Sequence, residues 1–276
     1  MAFYGGSRIY TNVGALNALN ALNSINSKIG THQLRLSSGK RINSAGDDPA
    51  GYTISQKLKA RSRSLSQALN NVGEAKNVLA VAEGGLQNLN DVLVNIKEKM
   101  IQAGNGSYGS TELSAVLTQI NDLLDEVDDI IAETKFNGTQ LLDGNFTGKV
   151  FQTGADSGDS ITINLSSSLD SASFGLNSLT TSNLASLAAL SSIDTYISTV
   201  SSELQTVGSL IQRMDFKEST LQVAITNTDA AASRIMDADI AQEQLELTKL
   251  QILQQTATVQ LAQANAAPGN ILSLFR

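Results

Sequence analysis

Two stretches at opposite ends of the chain carry no charge. Ile9 to Ser27 and Gln251 to Phe275 contain no Asp, Glu, Lys or Arg, whereas the residues between them are liberally charged. A helix that stays in water as a monomer keeps a charged face, so neutral ends rich in Asn, Gln and Ala imply burial on several sides among hydrogen-bonding neighbours. Two arrangements meet that demand: an ordinary helical bundle inside one chain, or copies of the same chain packed around each end. The matching neutrality of both ends favours the polymer.

Composition supports helices over a globular core. Aromatic residues are 4% of the 276, Trp is absent and Pro occurs twice, at 49 and 268. Ala, Leu, Ile, Val, Asn, Gln and Ser suit long helices packed side by side. A net charge of -7 leaves no electrostatic footprint for nucleic acid or an anionic membrane. No window of 18 consecutive apolar residues exists, so no membrane-spanning helix is expected. Met1 to Arg8 lacks the basic stretch and apolar core of a secretory signal peptide, and export would need another route.

The periodicity predicts a helix over 13–36, in which Ala-Leu-Asn repeats three times from Ala15 to Asn23. Three residues turn a helix by about 300°, so Leu16, Leu19, Leu22 and Ile25 spiral round the helix and call for neighbours on more than one side. Asp47-Asp48-Pro49 reads as a helix start. The helix it opens should run to Ala103, weakened at Gly84-Gly85 and stopped at Gly104-Asn105-Gly106. Ser110 or Thr111 can cap the next helix, whose apolar stripe lies opposite Asp122, Asp125, Asp128 and Asp129, and the short connection makes the two antiparallel. Residues 136 to about 182 change character: Asn137-Gly138 and Asp143-Gly144 are turn pairs, and Val150-Phe151 and Ile161–Ile163 flank a Gly/Asp/Ser segment, as in one or two hairpins. Helix returns from about 183 to 234, and a last helix from about 236 should end before Pro268-Gly269. Its apolar positions sit three, four or seven apart, with Glu243 and Gln254 as imperfect heptad members. The fold class expected is mainly α, a long antiparallel helical bundle or coiled coil formed by the N- and C-terminal regions, with a small central β-hairpin region.

Site chemistry is sparse. The paired carboxylates Asp47-Asp48, Asp128-Asp129 and Asp237/Asp239 lack a matching ligand set and read as caps or wet helix faces. The lone His32 has no partner for a zinc site and is expected on a helix surface. Neither a nucleophile elbow nor a phosphate-binding glycine loop is present, and cysteine is absent. No enzyme, metal or cofactor is expected.

The segment from Leu36 to Gly51, LSSGKRINSAGDDPAG, resembles the N-terminal signature of bacterial flagellins. Ser233–Ala241 (SRIMDADIA), Gln251–Ala257 (QILQQTA), LAQAN at 261–265 and LSLFR at 272–276 resemble their C-terminal signature. The resemblance spans about 9–145 and 190–276. It implies an inner filament-core layer formed by 1–45 and 236–276, and an outer helical layer formed by 46–182, which includes the hairpin, and 183–235. Large outer domains have no room here. It further implies a homopolymer in the external flagellar filament, export unfolded through the flagellar type III apparatus, and an export chaperone, a filament cap and hook-filament junction proteins as partners. Assembly contacts are expected from Val13, Leu16, Leu19, Leu22, Ile25 and Ile29 packing on Ile240, Leu247, Leu250, Leu253, Ala257 and Leu261. Arg41, Asp47 and Asp48 would make lateral or intrachain polar contacts, or serve only as a helix cap and a solvated Arg. Some flagellins engage a vertebrate Toll-like receptor through an Arg, a Leu and a Glu; the equivalent positions here are Asn95, Lys99 and Gln119, and activation should be weak or absent. Two other readings remain: a hook-to-filament junction protein with the same terminal helices, and an adhesin using the central hairpin.

Overall fold

The computed structural model describes residues 11–184 and 186–273, the side chains of Leu187 and of residues 268–273 excepted. The Met1–Arg8 segment and the last three residues of the C-terminal signature lie outside it. Among the described residues five helices follow one another: α1 (Val13–Ser38), α2 (Pro49–Ala103), α3 (Ser110–Glu133), α4 (Leu187–Met236) and α5 (Ile240–Ser273). Between α3 and α4 lie four strands, β1 (Lys135–Phe136), β2 (Thr139–Gln140), β3 (Phe146–Gln152) and β4 (Ser160–Leu165), and two short 3₁₀ turns at Ser171–Phe174 and Leu176–Ser178. The chain divides into two compact units, 1–60 with 228–276, and 61–227.

The 61–227 unit owes its core to heptads on two helices. On α2, buried apolar residues recur at Leu65, Ala68, Val72, Ala75, Leu79, Ala82, Leu86, Leu89, Leu93, Ile96, Met100 and Ala103, at steps of three and four throughout. On α4 steps of three, four or seven bring in Ala189, Ile193, Tyr196, Val200, Val207, Leu210, Met214 and Leu221. The stripe on α3 adds Val116, Ile120, Leu124, Val127 and Ile131. Lys76 reaches Asp215 (2.6 Å) and Glu218 (2.8 Å), and Lys97 reaches Asp194 (2.6 Å), so α2 and α4 run antiparallel. The two carboxylates beside Lys76 hold its ammonium above the ordinary range.

Local chemistry sets the boundaries. Gly39 closes α1 in the left-handed conformation (φ 69°), which a residue with a Cβ adopts at a cost. Asp48 caps α2, its carboxylate accepting from the amides of Ala50 (3.1 Å) and Gly51 (3.0 Å). Ser186 caps α4 and Asp239 caps α5 in the same way. Gly109, rather than Ser110 or Thr111, occupies the cap position of α3 and makes no side-chain cap. Asn137 and Gly138 both have positive φ (49° and 79°), the geometry of a two-residue hairpin turn joining β1 to β2. The second hairpin pairs β3 with β4, and β4 alternates buried Ile161, Ile163 and Leu165 with exposed Ser160, Thr162 and Asn164.

Two further expectations are corrected by the helices themselves. The last helix does not end before Pro268 but continues to Ser273, although an interior proline forfeits one backbone hydrogen bond and crowds the carbonyl four residues before it. Gly84-Gly85 is also more than a weak point. A Cβ on Gly85 would stand 2.5 Å from Thr134 Oγ1, 2.7 Å from Thr134 Cγ2 and 3.1 Å from Leu142 Cδ1, so this glycine lets α2 approach the end of α3 and the segment after β2. A Cβ on Gly84 would meet nothing within 4 Å. Gly85→Val should therefore lower the stability of this unit by about 1–3 kcal/mol through overpacking. Gly84→Ala should raise it by about 0.4–1 kcal/mol. Urea midpoints of the two variants measure both effects, and equal midpoints would contradict the packing argument.

Candidate assembly interface

Helices α1 and α5 form an antiparallel pair in the first unit. Four ties fix their alignment along its length: Asn12 Nδ2 donates to the Ala264 carbonyl (2.6 Å), Gln254 Nε2 to Asn26 Oδ1 (2.7 Å), His32 Nδ1 meets the Glu243 carboxylate, and Lys40 bridges to Asp237. The less exposed positions of α1 are Ala15, Ala18, Leu22, Ile25, Ile29, His32 and Leu36, again at steps of three and four, with Arg35 beside them. Their counterparts on α5 are Glu243, Leu247, Leu250, Gln254, Ala257, Leu261 and Ala264. The imperfect heptad members thus meet polar partners, Glu243 taking His32 and Arg35 (3.4 Å), and Gln254 taking Asn26.

This seam does not bury the pair. Helix α1 has no buried residue at all. Leu22, Ile25 and Ile29 are half-buried on the seam, and Leu247, Leu250 and Ala257 are buried with Leu261 half-buried. Val13 (53%), Leu16 (50%) and Leu19 (42%) stay exposed within the chain, as do Ile240 (50%) and Leu253 (43%). The reason is register: the Ala-Leu-Asn repeat places Ala15 and Ala18 on the seam, and the leucine after each alanine points away. Leu245, Ile252 and Val259 on α5 are exposed as well. Burying one such side chain is worth about 1.5–3 kcal/mol, so apolar surface on both helices stands ready for further neighbours.

The connection between α1 and α2 is closed by polar bonds inside the chain. Arg41 donates its backbone amide to the Met236 carbonyl (2.6 Å) and a guanidinium NH to the Ile235 carbonyl (3.0 Å). Asp47 accepts from the amides of Ser44 (2.9 Å) and Asn43 (3.0 Å), and those bonds hold its carboxyl below the usual carboxylate range. Asp48 serves as the α2 cap. Gly51 packs closely there: a Cβ would sit 2.4 Å from Asp48 Oδ2 and 2.8 Å from Ile42 Cδ1, so a larger residue would displace the capping carboxylate or the Ile42 side chain.

His32 is not the surface residue expected. Its place three residues after Ile29 on the stepped seam predicts a partner on α5, and Glu243 is that partner. Among the described residues no group of three or more His, Asp or Glu side chains could hold a metal ion, and no helix is long and apolar enough to cross a membrane.

A chain whose first and last helices pair with each other, yet leave apolar rows uncovered on both, has the build of a helical subunit that polymerises. The model of the bacterial flagellin N-terminal helical region matches residues 9–147, and that of the bacterial flagellin C-terminal helical region matches 190–275. The chain belongs to the bacterial flagellin family, the structural subunits of the flagellar filament, which are not enzymes. Flagellin of Bacillus subtilis is 35% identical over 98% of this chain and 100% of its own length. Flagellin FlaB1 of Treponema pallidum is 33% identical over 90% of this chain and 93% of its own. A solved structure of a putative flagellar hook-associated protein from Vibrio parahaemolyticus shares the fold, with a TM-score of 0.58 and 14% identity over 69% of this chain and all of that one.

Proposed function

We propose that the uncovered faces of α1 and α5, including Val13, Leu16, Leu19, Ile240 and Leu253, pack against sister subunits, and that this packing completes the folding of both ends as each subunit joins the filament. The observation that carries the reading is that α1 buries no residue within its own chain. A helix held on one side by a half-buried seam is marginal in water, and neighbours in a filament supply what is missing. Residues 1–45 and 236–276 then make the inner layer and 46–182 with 183–235 the outer one, in a minimal two-layer subunit. Ordering at the growing tip also suits export of an unfolded chain by the flagellar type III route to a filament outside the cell, with an export chaperone, the filament cap and hook-filament junction proteins as successive partners. Limited proteolysis tests the central point: the ends should be cut readily in the monomer and resist cutting in filaments. Equal resistance in both states would defeat it.

The receptor reading rests on three side chains. Asn95 and Gln119 are exposed and Lys99 is half-exposed on α2 and α3, so none supplies a bidentate guanidinium donor, an apolar anchor or an acidic partner. Purified monomer should give little or no response in reporter cells bearing the vertebrate receptor, and a strong response would contradict this.

A further inference from the structure

The chain contains two Asn-Gly pairs, Asn105-Gly106 and Asn137-Gly138, and the structure treats them differently. We propose that Asn105 is a site of spontaneous deamidation, and that Asn137 is protected by its fold. In this reaction the Gly106 backbone nitrogen, after loss of its proton to solvent, attacks Cγ of Asn105. The bond from Cγ to the side-chain nitrogen breaks, and ammonia leaves with a proton from water. Water then opens the succinimide at either carbonyl, giving aspartate or isoaspartate. The sum is one water consumed and one ammonia released, with no oxidation.

Access and a polarised amide meet at Asn105. Residues 104–107 are exposed, so water and hydroxide reach both the amide and the nucleophile. A Cβ at Gly106 would meet nothing within 4 Å, which leaves room around this glycine, as there also is around Gly138. The Ser107 amide donates to Asn105 Oδ1 at 3.3 Å, polarising the carbonyl that is attacked and placing a donor where oxyanion charge develops. Asn137 is also exposed, but it and Gly138 are locked at positive φ in a two-residue turn. The turn is clamped by Lys135 against Gln140 and Phe136 against Thr139, and beyond it by the Leu141 amide on the Thr134 carbonyl (3.1 Å). Swinging the Gly138 nitrogen onto the Asn137 side chain would require that hairpin to open.

The product carries a new negative charge two residues beyond the end of α2, where the helix dipole disfavours it. The isoaspartate form also lengthens the backbone by one carbon in the α2–α3 connector. Subunits would therefore acquire charge heterogeneity with age at this one place.

Ageing of the purified full-length protein at mildly alkaline pH, with peptide mass mapping and enzymatic isoaspartate methylation, tests the assignment. Expected is a time-dependent acidic isoform with the modification at Asn105 well ahead of Asn137, and its suppression several-fold in Gly106→Ala, which the open space tolerates. In urea the two sites should react at similar rates. Modification of Asn137 as fast as Asn105 in the folded protein, or an Asn105 unchanged while the urea-treated chain reacts, would overturn it.

Discussion

Protein lacking Ala241–Arg276 will not grow into filaments when offered to seeds that full-length subunits extend. The deletion removes nearly all of α5, and with it the only described partner of α1. The seam residues Leu22, Ile25 and Ile29 would lose Leu247, Leu250 and Ala257, and the Asn26–Gln254 and His32–Glu243 ties would vanish. What remains is a 26-residue helix with a Gly at 14 and 30 and no covered face, which is marginal by itself. The 61–227 unit keeps its heptad core, so circular dichroism of the truncated protein should still report a cooperatively folded helical domain. Seeded growth followed by electron microscopy is the decisive measurement. Long filaments from the truncated protein would refute the assembly scheme, whereas loss of the folded 61–227 unit would refute the independence of its core.

Tyr196→Ala should cost the 61–227 unit about 3–5 kcal/mol, the range for deleting a large buried aromatic side chain. Tyr196 is 0% exposed, stacks on Phe174 with ring centroids 3.9 Å apart, and donates its hydroxyl to the Leu169 carbonyl. These contacts hold the 165–178 segment on α4, where Asp128 accepts from the Ser171 amide (2.9 Å) and hydroxyl (2.7 Å) and fixes the first 3₁₀ turn to α3. Tyr196→Phe keeps the ring and should lose about 1–3 kcal/mol through the carbonyl deprived of its donor. Alkali offers a second readout. Burial, reinforced by the carboxylates of Asp128 and Asp170, pushes the phenol well above its ordinary range, so the folded chain holds that proton more tightly than the unfolded chain does. The resulting stability is complete below about pH 10, the ordinary phenol value, and falls away as the pH rises beyond it. Spectrophotometric titration should therefore show a delayed phenolate component that Tyr196→Phe removes. An unshifted titration, or an Ala variant as stable as the parent, would contradict the placement.

The starts of α1 and α2, the stop after Ala103 and the Asn137-Gly138 turn were legible because each rests on local chemistry: a period, a cap, a glycine, a left-handed pair. What escaped depends on contacts distant in sequence. Gly85 looks like a flaw until Thr134 and Leu142 arrive against it. The Ser-rich stretch after β4 shows no period, yet Asp128 and Tyr196 organise it from two other helices. In the terminal pair the helices themselves were readable but the face was not: the three-residue repeat winds round the helix, and only the partner decides that Ala15, Ala18 and Leu22 face it while Leu16 and Leu19 do not. Glu243 and Gln254 stood out as breaks in the heptad, and their partners on α1 became visible only in the folded pair.

Those breaks have a consequence for how the two ends find each other. A greasy zipper of identical teeth can close several notches out of step, since each seven-residue slip restores a similar contact. Here Asn26 answers Gln254 and His32 with Arg35 answers Glu243, at two separate points along the helices. A misaligned closure would strand an acid against leucine or an amide against alanine, and that penalty leaves one alignment in which both polar marks coincide. Subunits entering a lattice of many copies thus bring ends that can mate in a single way.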